Sequence, residues 1–116
     1  MARKNVLKPY NMFDEVDIST SQTSDATNVE NLDKASIHII WSGTSPVGEI
    51  KVQARNGEKN SWFDVDFGDT IDITGNSGDH VIIMNSMPFT HLRLTYTSTS
   101  GTGTLTGTIV AKQVGG

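Results

Sequence analysis

The sequence contains no cysteine. That excludes a disulfide framework and a thiolate zinc site, and it fits a reducing compartment or a particle assembled in cytoplasm. Long apolar runs are also missing: none approaches the ~20 residues a membrane-spanning helix needs. "MARKNVLKPY" has a basic start but no apolar h-region, so no cleaved secretion signal is expected. Positive charge is in short supply, with 9 Lys and Arg against 13 Asp and Glu, a formal net charge of -4. The pI of about 5.1 argues against a general nucleic-acid binder, which carries a basic surface. One stretch departs from this average: "MARKNVLK" holds Arg3, Lys4 and Lys8 and no acid.

Leu and Ala are scarce, whereas Thr, Ser and Gly abound. The apolar residues lean toward Ile, Val, Phe and Trp, which suit a pleated, half-buried surface. At 116 residues there is room for one domain with a modest core. The expectation is an all-β domain.

Residues 1–12 show no clear period, and Pro9 breaks any helix across them. They read as an extended arm, either a disordered terminus or a segment lying on a neighbouring subunit, preceding a β-sandwich domain over 13–116. Phe13, Val16 and Ile18 can anchor a first strand, and the Ser/Thr/Asp stretch after them suits an irregular edge.

From residue 35 the alternation is clear. "ASIHIIWSG" places Ile37, Ile39 and Trp41 on one face, with His38 and Ile40 on the other. "GTSPVG" reads as a turn. "EIKVQAR" sets Ile50, Val52 and Ala54 inward and Glu49, Lys51, Gln53 and Arg55 toward water. Asn56-Gly57 signals a hairpin. In "SWFDVDF" Phe63, Val65 and Phe67 share a face opposite Trp62, Asp64 and Asp66. "TIDIT" points Ile71 and Ile73 inward. "HVIIMNSM" is apolar on both faces, as befits a central or an interface strand. "FTHLRLTYT" puts Leu92, Leu94 and Tyr96 on one face and His91, Arg93 and Thr95 on the other. "GTLTGTIVAK" points Leu105 and Ile109 inward, and the Ser/Thr/Gly segment at 97–104 reads as a hairpin tip. Seven or eight short strands with no convincing helix predict a two-sheet, jelly-roll-like β-sandwich. An immunoglobulin-like order is the nearest rival.

Chemistry is sparse. Asp64, Asp66, Asp69, Asp72 and Asp79 cluster in sequence. They form either a solvated face or a calcium-type ion site, although no EF-hand spacing is present. His38, His80 and His91 fall on three different predicted strands with no metal-ligand spacing. "GTSPVG" lacks the Lys-Ser/Thr ending of a phosphate loop, and "GTGTLTG" begins a strand instead of opening a helix. No metal, cofactor or catalytic residue is therefore assigned, and the expectation is a protein that is not an enzyme. Trp41 and Tyr96 share the core parity. Trp62 does not, and serves either a carbohydrate site or a subunit contact.

The segments "IIWSGTSPVGEIKVQARNGEKNSWFDVDF" and "PFTHLRLTYTSTSGTGTLTGTIVAK" together resemble small β-sandwich virion proteins of tailed bacteriophages. These are head-decoration, head–tail and tail-accessory subunits. The resemblance spans roughly residues 13 to 112. It implies a virion structural protein, foremost a capsid-decoration (cement) subunit, assembled in host cytoplasm. Its implied partners are other virion proteins, capsid or tail, and further copies of itself, a trimer by analogy, with no direct nucleic acid and no membrane. A tail or neck subunit and a carbohydrate- or receptor-binding module are the alternatives. On this reading Arg3, Lys4, Lys8 and Tyr10 of the arm and Trp62 of the domain are the partner-binding residues.

Overall fold

A computed structural model of the chain describes residues 6–30, 32–57, 59, 61–65 and 71–113. They form eight strands: β1 (Val6–Asp17), β2 (Gln22–Thr23), β3 (Thr27–Asn28), β4 (Lys34–Arg55), β5 (Phe63–Asp64), β6 (Ile71–Ile73), β7 (Ser77–Met84) and β8 (His91–Lys112). The fold is all-β and every pairing is antiparallel.

The two 22-residue strands β4 and β8 run side by side from Lys34↔Lys112 to Arg55↔His91. Smaller strands flank each half of this pair. β1 lies along β8 from Asp17↔Thr104 to Val6↔Lys112, and β7 along β4 from Ala35↔Met84 to Ser42↔Ser77. At the other half, β2 and β3 border β8, while β6 and β5 border β4. The two layers expected from the sequence are therefore halves of one hydrogen-bonded sheet that bends back on itself. A Cβ on Gly107 would stand 2.8 Å from Leu94 Cδ1. Residues 13 positions apart on one strand thus meet across the core.

The bend lies where β4 and β8 are richest in Gly, Ser and Thr. Register shifts fall between Thr44 and Val47 and between Val47 and Gly48, as β-bulges do where a strand must turn a corner. Ser45 takes a left-handed conformation, φ 47°. Its N–H donates to Asn76 Oδ1 at 2.8 Å, and Gly43 N–H donates to Asn76 O at 2.7 Å. One Asn thus ties the corner to the turn before β7. Opposite, Gly101 has φ 84°, and a Cβ there would run into the backbone of Ser45 and Pro46. "GTSPVG" and residues 97–104, which read as a turn and a hairpin tip, are instead mid-strand. Their turn-like composition meets the needs of a tight bend and close backbone approach.

The bend also exchanges faces. On β4 the buried side chains are Ile37, Ile39 and Trp41 before it and Ile50, Val52 and Ala54 after it. On β8 they are Leu92, Leu94 and Tyr96, then Leu105, Ile109 and Ala111. All the core positions expected on these strands are buried, together with Phe13, Ile18, Ile71 and Ile73. Trp41 is locked further by Nε1–H donating to Thr74 O at 3.3 Å and by Gly78, whose missing side chain makes room for the indole.

Two further expectations are corrected. Residues 6–12 are extended, but as the outer part of β1, which carries Met12 into the core. Register shifts at Leu7/Tyr10, Asn11/Phe13 and Phe13/Val16 break the two-residue period that would have marked them as strand. Phe63, expected inside, is exposed on the two-residue β5 and stacks edge-on against Phe89 with centroids 5.6 Å apart.

Trp41→Ala should cost ~3–5 kcal/mol in a denaturant melt, because it empties a core site; a change below ~1 kcal/mol would contradict its packing. Gly57 and Gly101 share positive φ, but only Gly57 has open space around it. Gly57→Ala should therefore cost about 1 kcal/mol and Gly101→Ala about 3 or more, strain plus collision. Equal losses would contradict the bend described above.

Candidate functional site

The outer faces of the two layers differ in chemistry. On the layer of β1, β8, β4 and β7, cross-strand register sets Ile83, Ser36 and Val110 in one row. Val81, His38 and Thr108 form the next, and Asp79, Ile40 and Thr106 the third. Ile40, Val81, Ile83 and Val110 are 50%, 48%, 65% and 40% exposed. Four large apolar side chains thus lie open to solvent on one outer face. The patch runs into a shallow groove bordered by Lys34 and Lys112. β7 pairs only with β4 among the described residues, so its far edge is open. His38, in the middle row of this patch, places Nε2 3.1 Å from Asp79 Oδ2.

On the other layer Trp62 lies against two arginines. Its ring centroid is 4.7 Å from Arg55 Cζ and 4.3 Å from Arg93 Cζ, within cation–π range. From there a polar chain crosses the sheet. Arg93 Nε donates to Gln53 Oε1 at 2.8 Å, and Gln53 Nε2 donates to Asp64 Oδ1 at 2.9 Å. Lys51 Nζ lies 3.5 Å from Asp64 Oδ2 and 3.9 Å from Glu49 Oε1. The Gln53 bond, aided by Lys51, holds the Asp64 carboxyl below the ordinary carboxylate range. Beside Arg55, Thr90 Oγ1 receives Gly57 N–H at 2.7 Å and donates to Arg55 O at 3.0 Å. Its 2.8 Å contact with His91 Nδ1 then requires the proton on that nitrogen.

Among the described residues, the expected partner-binding residues do not converge. Arg3 and Lys4 lie outside the described residues. Lys8 and Tyr10 are exposed on β1, at one end of the strand order, while Trp62 adjoins β5 at the other. The acids are dispersed too. Asp64, Asp72 and Asp79 sit on β5, β6 and β7, spaced along β4 opposite Gln53, Glu49 and Ile40. Asp66 and Asp69 lie outside the described residues. No three His, Cys, Asp or Glu among the described residues form a group that could hold a metal ion.

Arg55 and Arg93 were missed as functional candidates. Each reads as one more outward charge until the register sets Arg93 beside Gln53, diagonal to Arg55. Ile40 carried a usable signal, an apolar residue on the face opposite the core.

No protein-family model matches the sequence, and no curated protein does. The fold is similar to solved structures. One is a chain in the structure of infectious bursal disease virus Gx strain, with TM-score 0.58 and 12% identity over 99% of this chain and 33% of that one. This chain thus spans about a third of that chain's length. Another is the SPBc2 prophage-derived protein YomS, with TM-score 0.55 and 15% identity over 95% of this chain and 96% of that one.

The sign of the Asp64 shift gives a test. A lowered pKa in the folded protein means a contribution to stability that is present above the usual value of 3.8 and lost as pH falls through the folded value. Gln53→Ala should raise the Asp64 titration midpoint, read from side-chain carboxyl NMR shifts, and more than Lys51→Met does. The reverse order would make the lysine the dominant partner.

Proposed function

We propose that the chain is a non-enzymatic bacteriophage virion structural protein, a capsid-decoration subunit that works by stoichiometric binding to its neighbours in the particle. The observation that carries this reading is the fold shared with a prophage-derived protein along essentially the whole length of both chains. The viral chain that contains the same fold as about a third of its length supports it. The apolar face at Ile40, Val81, Ile83 and Val110 supplies the kind of surface that such binding covers. A tail or neck accessory subunit uses the same surfaces and is the close variant. A homo-oligomer suits a chain with an open strand edge beside an apolar face.

The carbohydrate reading is weaker. A sugar platform needs a free aromatic face, and the Trp62 ring is already engaged by two guanidinium groups.

Purified chain mixed with phage heads and with tails should pellet with one of them at a fixed ratio. Val81→Lys combined with Ile83→Lys should abolish pelleting while changing folding stability by no more than ~0.5 kcal/mol per site, since both side chains are exposed. A chain that pellets with no particle part defeats the virion reading.

A further inference from the structure

We propose that the Arg55–Trp62–Arg93 stack binds an extended acidic segment of a neighbouring protein, with carboxylates two residues apart. The inference rests on the reading of the chain as an interaction protein and names the chemistry one of its surfaces takes.

Two cations held against one ring are no more than about 9 Å apart, given their distances to the shared centroid. They repel, and the negative face of the indole offsets only part of that cost. Among the described residues neither arginine has a carboxylate partner. Arg93 Nε is bonded to a neutral amide oxygen. Arg55 Nε is buried without any partner, so the Nη groups of Arg55 are the donors it can offer a carboxylate from outside. The nearby acid, Asp64, is occupied by Gln53 and Lys51 instead. On a chain of net charge -4, two guanidinium groups without a carboxylate partner among the described residues lie beside a half-buried Trp. Trp and Arg are also the residues that carry most binding energy at interfaces.

The geometry selects the ligand. Guanidinium groups take carboxylates in two parallel hydrogen bonds. Arg55 and Arg93 are diagonal neighbours on paired strands, a separation of roughly 7–8 Å at the backbone. Side chains at i and i+2 of an extended segment project to the same side about 6.6 Å apart. A Glu-x-Glu or Asp-x-Glu strand therefore presents one carboxylate to each arginine. A nucleic-acid backbone offers anions too, but it demands a basic stripe, and Lys51 is spent on Asp64 and Glu49.

The test is a titration of the full ¹⁵N-labelled chain at low salt with the peptide acetyl-Thr-Glu-Val-Glu-Thr-amide. The Nε–H resonances of Arg55 and Arg93 and the Nε1–H of Trp62 should move. The Nε1–H of Trp41, bonded to Thr74 O, should stay fixed as the internal reference. The peptide with Gln in place of both Glu, and the variant R55Q/R93Q, should each bind at least about tenfold more weakly. R93K, which keeps the charge but loses the fork, should fall between them, and it guards against a fold defect in the double variant. No movement up to about 10 mM peptide, or an equal response to the Gln peptide, overturns the proposal. So does a thymidine oligonucleotide that displaces the peptide at equal charge concentration. Because only free chain and peptide are used, this titration can fail while co-sedimentation with phage particles succeeds, and the reverse.

Discussion

The pairing of β4 with β8 is the constraint on which the rest depends. Their register begins at Lys34↔Lys112 and ends at Arg55↔His91. Each strand supplies core residues to both layers, so neither layer exists without the other. The pairing is also entirely non-local. Ile37 meets Ile109, and Ala54 meets Leu92, so the chain closes long loops before either layer gains its hydrophobic reward. Every smaller strand then needs only to dock on an edge that this pair already presents, which is how two-residue strands such as β2, β3 and β5 persist.

What the sequence made legible was local. Ile37, Ile39 and Trp41, Ile50, Val52 and Ala54, Leu92, Leu94 and Tyr96, and Leu105 and Ile109 each sit in an alternating run whose parity predicts burial, and all are buried. The continuity between runs was not legible, because the residues that allow a strand to bend are also the ones that end strands. Gly43, Ser45, Pro46 and Gly101 look like punctuation. In the structure they mark the point where both strands turn the corner and exchange faces. β1 fails for a related reason: its three register shifts scramble the period over the stretch where Tyr10 is exposed and Met12 is buried.

The candidate sites were less legible still, because they are properties of register. Arg55 and Arg93 are separated by 38 positions and meet at Trp62 only because Gln53 pairs with Arg93. Trp62 itself was identifiable from its parity, but not the fact that its ring would already be in use. The acids show the converse. Asp64, Asp72 and Asp79 are close in sequence, yet β5, β6 and β7 dock at successive levels of β4 and draw them apart.

The two outer faces are unlike one another. One carries Ile40, Val81, Ile83 and Val110; the other carries Lys51, Gln53, Arg55, Arg93 and Trp62. Both are built on the same pair of strands, so their relative orientation is set by the bend and cannot drift as the orientation of two linked domains does. A partner covering the apolar face gains chiefly from area removed from water, which is insensitive to salt. A partner at the arginines gains from charge-assisted bonds that salt weakens. On the proposed reading, a neighbour at each face would be held at an angle set by the bend.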